Sequence, residues 1–198
     1  MPRCNISLVR TIILLLFTIT CHDLKSQIVD HWETVVMASD TWSYLPGNSE
    51  PPLNWIEPGF NDASWQTGSG GIGYGDGDDA TVISPVTSVY LRIKFNLTDT
   101  SAISMALLHV DFDDGFVAYL NGNEIARANL GTPGTRPPYN EFAIYDFYEA
   151  RLPSGGIPAR FLIEKSIISD YIKQGENVLA LQVHNCSTES SDLYSTTF

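Results

Sequence analysis

Basic residues are scarce in this sequence. Eleven Lys and Arg stand against 23 Asp and Glu in 198 residues, which gives a formal net charge of −12 at pH 7. Phosphate binding requires clustered Lys and Arg, so this balance argues against a nucleic-acid-binding protein and against docking on an anionic membrane surface. Hydrophobic residues still make up 43% of the chain, which is enough for a sizeable core. The composition predicts an acidic globular protein.

Long apolar runs are also absent. No segment reaches the roughly 18 consecutive apolar residues of a transmembrane helix, so we expect no membrane span. An apolar run at residues 11–20 follows Arg3 and Arg10, which is typical of a signal peptide. Cleavage after Ser26 would remove residues 1–26 and leave 27–198 as a secreted or cell-surface module. The alternative is a lipoprotein acylated at Cys21.

Cysteine and catalytic motifs are scarce as well. Beyond the predicted signal peptide, Cys186 is the one remaining cysteine, and a lone cysteine cannot form an internal disulfide. A buried, inert thiol is the favoured interpretation, although His184 would share a strand face with it as a base. The sequence has no H-E-x-x-H, G-x-S-x-G or paired C-x-x-C motif. We therefore predict a module without catalysis of its own.

Period-two patterns dominate the rest of the chain. Residues 89–97 alternate between apolar and polar side chains, as in a half-buried antiparallel strand. Asn121-Gly122 separates two strand-like runs and is typical of a hairpin turn. The other predicted elements are strands at 34–38, 42–45, 103–112, 142–148, 177–185 and 192–198, and a short helix at 165–173. This pattern predicts an all-β fold, an antiparallel β-sandwich.

A glycine-rich acidic loop follows residue 68. Residues 68–73 match G-x-G-x-x-G, but Asp76, Asp78 and Asp79 follow instead of a helix and would repel a pyrophosphate. Three carboxylates on a mobile backbone suit Ca²⁺, which takes six to eight oxygen ligands. The alternative is a solvated surface loop. Asp113 and Asp114 belong to a second acidic cluster, which is interpreted first as a turn.

Tryptophan is concentrated near the start of the predicted module. Trp32, Trp42, Trp55 and Trp65 lie there, with Tyr44 and Tyr74 among them. Exposed aromatic faces are platforms for sugar rings, so these residues are candidates for carbohydrate binding. The alternative is that the rings cover one end of the sandwich and pack against apolar neighbours.

Several segments together resemble one family. They are residues 42–44, 60–65, 73–75, 90–92, D-D-G-F-V-A-Y-L-N-G at 113–122, E-I-A-R at 124–127 and G-E-N-V-L-A-L-Q-V-H-N at 175–185. Their order resembles the galactose-binding-like jelly-roll modules of secreted Bacteroidetes-type surface proteins, which occur beside spore-coat-kinase-like and lamin-tail domains. It is also similar to the non-catalytic sugar-binding domain of family 2 glycoside hydrolases. The resemblance covers roughly residues 30–198.

The resemblance implies a function and a place in a larger protein. Such modules bind a glycan or polysaccharide, or pack against a downstream domain of the same chain, and many hold a structural calcium. We therefore expect a non-catalytic carbohydrate-binding module that forms the N-terminal part of a longer chain, with a structural spacer as the alternative. Expected sugar contacts are the aromatics Trp42, Tyr44, Trp55, Trp65 and Tyr74 and the polar residues Asp113, Asp114 and Arg127.

Overall fold

The chain folds into two packed β-sheets. The computed structural model describes residues 29–144 and 148–198. In this part of the chain the strands are β1 (Thr41–Pro46), β2 (Gln66–Ser69), β3 (Ile72–Tyr74), β4 (Thr81–Val82), β5 (Ser88–Leu97), β6 (Met105–Asp113), β7 (Gly115–Leu120), β8 (Asn123–Ala128), β9 (Ala159–Glu164), β10 (Gly175–His184) and β11 (Leu193–Thr197). A 3-10 turn spans Leu53–Ile56, and the helix α1 spans Lys165–Tyr171.

The sheet order confirms the predicted all-β sandwich. One sheet has six strands in the order β2-β1-β5-β10-β7-β8, and every neighbouring pair is antiparallel. The other has five strands in the order β4-β3-β11-β6-β9, with a single parallel pair between β3 and β4. Among the described residues, no helix has the length and apolar character to cross a membrane.

The main core lies between the two sheets. Leu91 of β5 and Leu181 of β10 face Val110 and Phe112 of β6, and all four are at most 2% exposed. Burying an aliphatic or aromatic side chain of this size contributes about 1.5–3 kcal/mol. The alternation of apolar residues along β5 and β10 places these side chains on one face of the sheet.

A second apolar cluster covers the outer face of the six-stranded sheet. Tyr90 and Arg92 of β5 point to this face, yet they are only 1% and 0% exposed. The 3-10 turn lies over them and contributes Trp55 and Ile56. The expectation of a half-buried strand at 89–97 is therefore corrected for its first half, because a loop covers the polar face.

Some of the other local predictions are confirmed and some are wrong. Asn121 and Gly122 form the predicted hairpin turn with φ angles of 49° and 92°. The helix and the last strand are also present. Residues 34–38 form no strand, since Met37 and Asp40 close a turn instead. Residues 142–144 are irregular, 145–147 lie outside the described residues, and β9 was not predicted.

Candidate metal centre

Antiparallel pairing brings three loops together at one end of the five-stranded sheet. Tyr194 of β11 pairs with Asp113 at the end of β6, and Leu193 pairs with Tyr74 at the end of β3. Three segments therefore meet at the same end of the five-stranded sheet: the residues before β11, the end of β6 and the loop after β3. Acidic residues occupy all three segments.

Three carboxylates converge at this end. One oxygen from each of Asp113, Glu149 and Asp192 lies within 4.8 Å of the others. Asp113 is 3% exposed, Asp192 is half-buried and Glu149 is exposed. We call these three residues the acidic triad. Carboxylate oxygens this close together can hold a divalent cation between them.

A buried aspartate positions Glu149 over the sheet. Asp111 is 0% exposed, and its carboxylate accepts hydrogen bonds from the backbone N–H groups of Arg151 (2.9 Å) and Leu152 (2.7 Å). Asp111 precedes Asp113 by two residues on β6, so both side chains lie on the same face. These bonds attach the segment that carries Glu149 to the strand that carries Asp113.

The surroundings of Asp113 and Glu149 disfavour their ionised forms. Burial raises the pKa of Asp113 to about 9, and the neighbouring charges of Asp114 and Asp192 add to the shift. Burial also raises the pKa of Glu149, with further contributions from Asp192, Asp114 and Asp76. Like charges this close repel one another, so a bound divalent cation would offset an existing cost.

The predicted calcium loop faces the triad. Burial raises the pKa of Asp78 and of Asp79 to about 6, and the carboxylate of Asp76 contributes to both shifts. Gly75, at the start of the loop, lies against Asp192, since a Cβ on Gly75 would clash with the Asp192 Cβ. The Asp192 charge also raises the pKa of Asp79. One buried oxygen of Asp78 and one of Asp79 have no hydrogen-bond partner. These orphaned oxygens are free to act as ligands.

The donor set fits a hard cation. Carboxylate oxygens are the ligands that Ca²⁺ prefers, and the triad and loop together supply several within one region. None of the ion pairs between described side chains includes a carboxylate of the triad or loop. Asp114 has another role, because its Oδ2 accepts the backbone N–H of Cys186 at 2.7 Å. The loop was found in the sequence, whereas Glu149 and Asp192 were missed.

The five predicted sugar-binding aromatics all lie inside the protein. Their exposed fractions run from 2% for Trp42 to 9% for Trp65, with Tyr44, Trp55 and Tyr74 between them. Trp42, Tyr44 and Tyr74 belong to the main core, and Trp55 and Trp65 belong to the outer cluster. Trp55 also makes an edge contact with Tyr90 at 5.0 Å between ring centroids. All five side chains therefore pack against apolar neighbours, which was the alternative interpretation of these aromatic residues.

The predicted polar contact Arg127 is bound within the protein. Its guanidinium pairs with Glu124 at 2.9 Å and donates to the carbonyl oxygens of Leu130 and Thr135. These bonds fold the loop after β8 back on the strand. Arg127 therefore acts as an internal brace, while Asp113 and Asp114 belong to the acidic end described above.

His184 and Cys186 do not form a thiol–imidazole pair. His184 Nε2 lies 2.8 Å from Gln182 Nε2, and Nδ1 lies 2.6 Å from the carbonyl oxygen of Glu141. Burial lowers the pKa of His184 to about 4. Burial and the adjacent Asp114 raise the pKa of the Cys186 thiol to about 11. Both groups thus stay neutral at pH 7, which is unsuitable for nucleophilic catalysis.

A pocket of about 210 Å³ opens on the outer face of the six-stranded sheet. Its lining includes Glu50, Leu53, Trp55, Tyr90, Arg136 and Gln182. We call it the outer-face pocket. Of these residues, only Trp55 was predicted as a binding residue. The others come from segments far apart in sequence, and no local motif marks them.

Comparisons with known proteins give similarities to parts of much longer chains. A β-glucuronidase from Bifidobacterium dentium, complexed with coumarin-3-O-glucuronide, has a TM-score of 0.45 and 13% identity, covering 74% of this chain and 19% of that one. A glycosyl hydrolase family 2 member from Bacteroides cellulosilyticus has a TM-score of 0.46 and 12% identity, covering 83% and 20%. A calcium-binding mutant of β-glucuronidase 2 from Bacteroides uniformis has a TM-score of 0.41 and 12% identity, covering 82% and 18%.

This chain thus spans about a fifth of the length of each of these structures. No protein-family model matches the sequence, and no curated protein matches it.

Proposed function

We propose that this chain is a calcium-binding β-sandwich module that recognises carbohydrate and performs no catalytic step. The observation that carries the calcium part is the acidic triad, in which a 3% exposed Asp113 lies against Asp192 and Glu149. Calcium would neutralise these charges, with the loop of Asp76, Asp78 and Asp79 supplying further oxygens. The metal would act structurally, by holding three loops together at one end of the sandwich.

Titration calorimetry and denaturation test the calcium part. Ca²⁺ is expected to bind the wild-type chain and to raise its midpoint of denaturation relative to a sample in EGTA, because a ligand that binds only the folded state stabilises it. Asp192→Asn is expected to weaken the binding at least tenfold. Asp170→Asn is a matched control, since Asp170 is exposed on α1, at the opposite end of β6. Equal binding by wild type and Asp192→Asn would contradict the site.

Carbohydrate recognition is supported by the resemblance of the sequence to sugar-binding jelly rolls and by the outer-face pocket. The buried aromatics do not contribute an open platform, so the sugar contacts would come from this pocket. A glycan array probed with the calcium-loaded chain tests the proposal. Binding to a defined group of glycans is expected. A folded chain that binds no glycan would contradict it and would favour the structural spacer.

The proposed setting is a secreted or cell-surface protein of several domains. Residues 1–28 lie outside the described residues, so this part rests on the signal-like sequence at 11–20 and on the resemblance to modules of secreted surface proteins. Expression of the full chain with its N-terminus, followed by N-terminal sequencing of the exported product, tests it. Cleavage after Ser26 is expected, whereas a product that begins with acylated Cys21 would identify a lipoprotein.

A further inference from the structure

The outer-face pocket has two walls that are attached to each other. The first wall is the segment of Glu50 and Leu53, and the second carries Arg136. Glu50 Oε1 accepts the backbone N–H of Tyr139 at 2.7 Å, and the Arg136 guanidinium donates to the carbonyl oxygen of Leu53. Each wall therefore holds the other, and the pocket exists before any ligand binds. A preformed site loses less entropy on binding.

The floor of the pocket carries polar groups in fixed positions. The Tyr90 hydroxyl lies 3.4 Å from Glu50 Oε2 and 3.4 Å from Gln182 Nε2. Gln182 Nε2 also donates to the carbonyl oxygen of Pro137 at 2.8 Å and lies 2.8 Å from His184 Nε2. These contacts fix the orientation of the Gln182 amide. The Tyr90 hydroxyl donates its proton to Glu50 and accepts from Gln182, so it offers a ligand only its remaining lone pair. The Gln182 carbonyl oxygen is a second acceptor for the hydroxyl groups of a ligand.

Charge and size indicate the class of ligand. One carboxylate and one guanidinium line the pocket, so its formal charge is balanced. Carboxylate, guanidinium, phenol and amide groups all form hydrogen bonds with hydroxyls, while Leu53 (79% exposed) supplies apolar surface. The volume of about 210 Å³ is below the roughly 300–1,000 Å³ of sites for drug-sized ligands. A small, neutral, polyhydroxylated ring meets these conditions.

We propose that the outer-face pocket binds one neutral sugar ring, at the end of a glycan, between Glu50 and Arg136. This rests on the proposed carbohydrate recognition and assigns its site. Glu50 and Arg136 hold adjacent hydroxyls, Gln182 and Tyr90 contact the ring from below, and Leu53 covers one apolar face. The pocket lies on the outer face of the six-stranded sheet, whereas the acidic triad belongs to the five-stranded sheet. Sugar binding is therefore separate from the calcium ligands.

Binding of simple glycosides tests the site. The probes are the methyl glycosides of glucose, galactose and mannose, with methyl glucuronide as the acidic comparison, measured by saturation-transfer NMR and calorimetry on the full chain. At least one neutral glycoside is expected to bind. Glu50→Gln is expected to lower its affinity at least fivefold, and Leu53→Ala at least twofold. Glu33→Gln, at an exposed position outside the pocket, is the matched control and is expected to bind as wild type does.

Both pocket variants are expected to stay folded. Gln at position 50 still accepts the Tyr139 N–H, and Leu53 is too exposed to support the core. A neutral glycoside that binds both variants as well as wild type would overturn the site but leave carbohydrate recognition intact. If methyl glucuronide is the only probe that binds, the proposal that the ligand is a neutral sugar is wrong. If the glycan array gives no hit, both the proposed carbohydrate recognition and the proposed sugar site are contradicted.

Discussion

The side-chain nitrogen Nε2 of Gln182 lies 2.8 Å from Nε2 of His184, two residues along β10. An amide nitrogen can only donate, so His184 Nε2 accepts and the ring proton resides on Nδ1. That proton is donated to the carbonyl oxygen of Glu141 at 2.6 Å. Both ring nitrogens are thus used in the neutral state. A second proton on the ring would break the bond to Gln182.

The stability of the fold should fall below pH 6.5 because of His184. Burial lowers its folded-state pKa from 6.5 to about 4. The unfolded chain therefore binds a proton between these values that the folded chain does not, and stability is lost as the pH falls through this window. The contribution is fully present above pH 6.5 and amounts to about 3 kcal/mol at most.

Urea denaturation between pH 4 and pH 7.5 measures this dependence. His184→Asn keeps a donor for the Glu141 carbonyl but cannot be protonated. The variant is expected to be less stable at pH 7.5 and to lose less stability than wild type between pH 6.5 and pH 4. If the unfolding free energies of the two proteins change with pH in the same way, His184 does not have the lowered pKa.

Replacing the buried carboxyl of Asp113 by an amide should stabilise the calcium-free protein. Asp113 is 3% exposed, and burial together with Asp114 and Asp192 raises its pKa. At pH 8 the folded protein keeps the Asp113 carboxyl protonated, whereas the unfolded chain releases that proton, and this difference lowers the stability of the folded state. Asn needs no proton to be neutral, so in EGTA at pH 8 Asp113→Asn is expected to raise the free energy of unfolding by at least about 1 kcal/mol. In calcium the same variant is expected to lose the stabilisation that wild type gains. A variant less stable than wild type in EGTA would contradict the raised pKa of Asp113.

Arg92 should be essential for the loop that covers the outer face. It is 0% exposed; its Nε donates to Asp62 at 2.9 Å, and its guanidinium also contacts the carbonyl oxygens of Trp55 and Glu57. Arg92→Met leaves these acceptors unpaired and is expected to cost about 3–5 kcal/mol in unfolding free energy. Lys94→Met, on the same strand, removes only an exposed ion pair with Glu176 and is expected to cost less than about 1 kcal/mol.

The thiol of Cys186 should react slowly in the native protein. Burial and Asp114 raise its pKa to about 11, so the thiolate fraction at pH 8 is far below that of a free cysteine. Alkylation by iodoacetamide, followed by mass spectrometry, is expected to be about 100-fold slower than in urea, since two pKa units change the thiolate fraction about 100-fold. Asp114→Asn is expected to accelerate it. Equal native and denatured rates would contradict the shifted pKa.

Local patterns were sufficient for much of the fold. Asn121-Gly122 specifies its hairpin because few other residue pairs adopt positive φ at both positions. The alternation along residues 177–185 predicted β10, and the acidic loop at Asp76 was recognised from its composition. These features depend on neighbours within a few residues. They can therefore be predicted without knowledge of the other sheet.

Burial depends on contacts between distant segments. Nothing near Tyr90 or Arg92 in the sequence shows that residues 53–62 lie over them, so β5 was predicted to have a polar open face. The same is true of Trp55 and Trp65, which pack into the outer cluster. An aromatic residue has the same local pattern whether it is exposed or covered. Only the packing distinguishes the two.

The sequence by itself determined the acidic balance, the strand-rich architecture, the hairpin at Asn121-Gly122 and one of the acidic loops. The tertiary structure decided which carboxylates meet. Asp113, Glu149 and Asp192 converge because β6 and β11 pair in one register and Asp111 holds the segment of Glu149. The register and these hydrogen bonds join residues that are distant in the chain. Their meeting therefore becomes visible only once the sheets have formed.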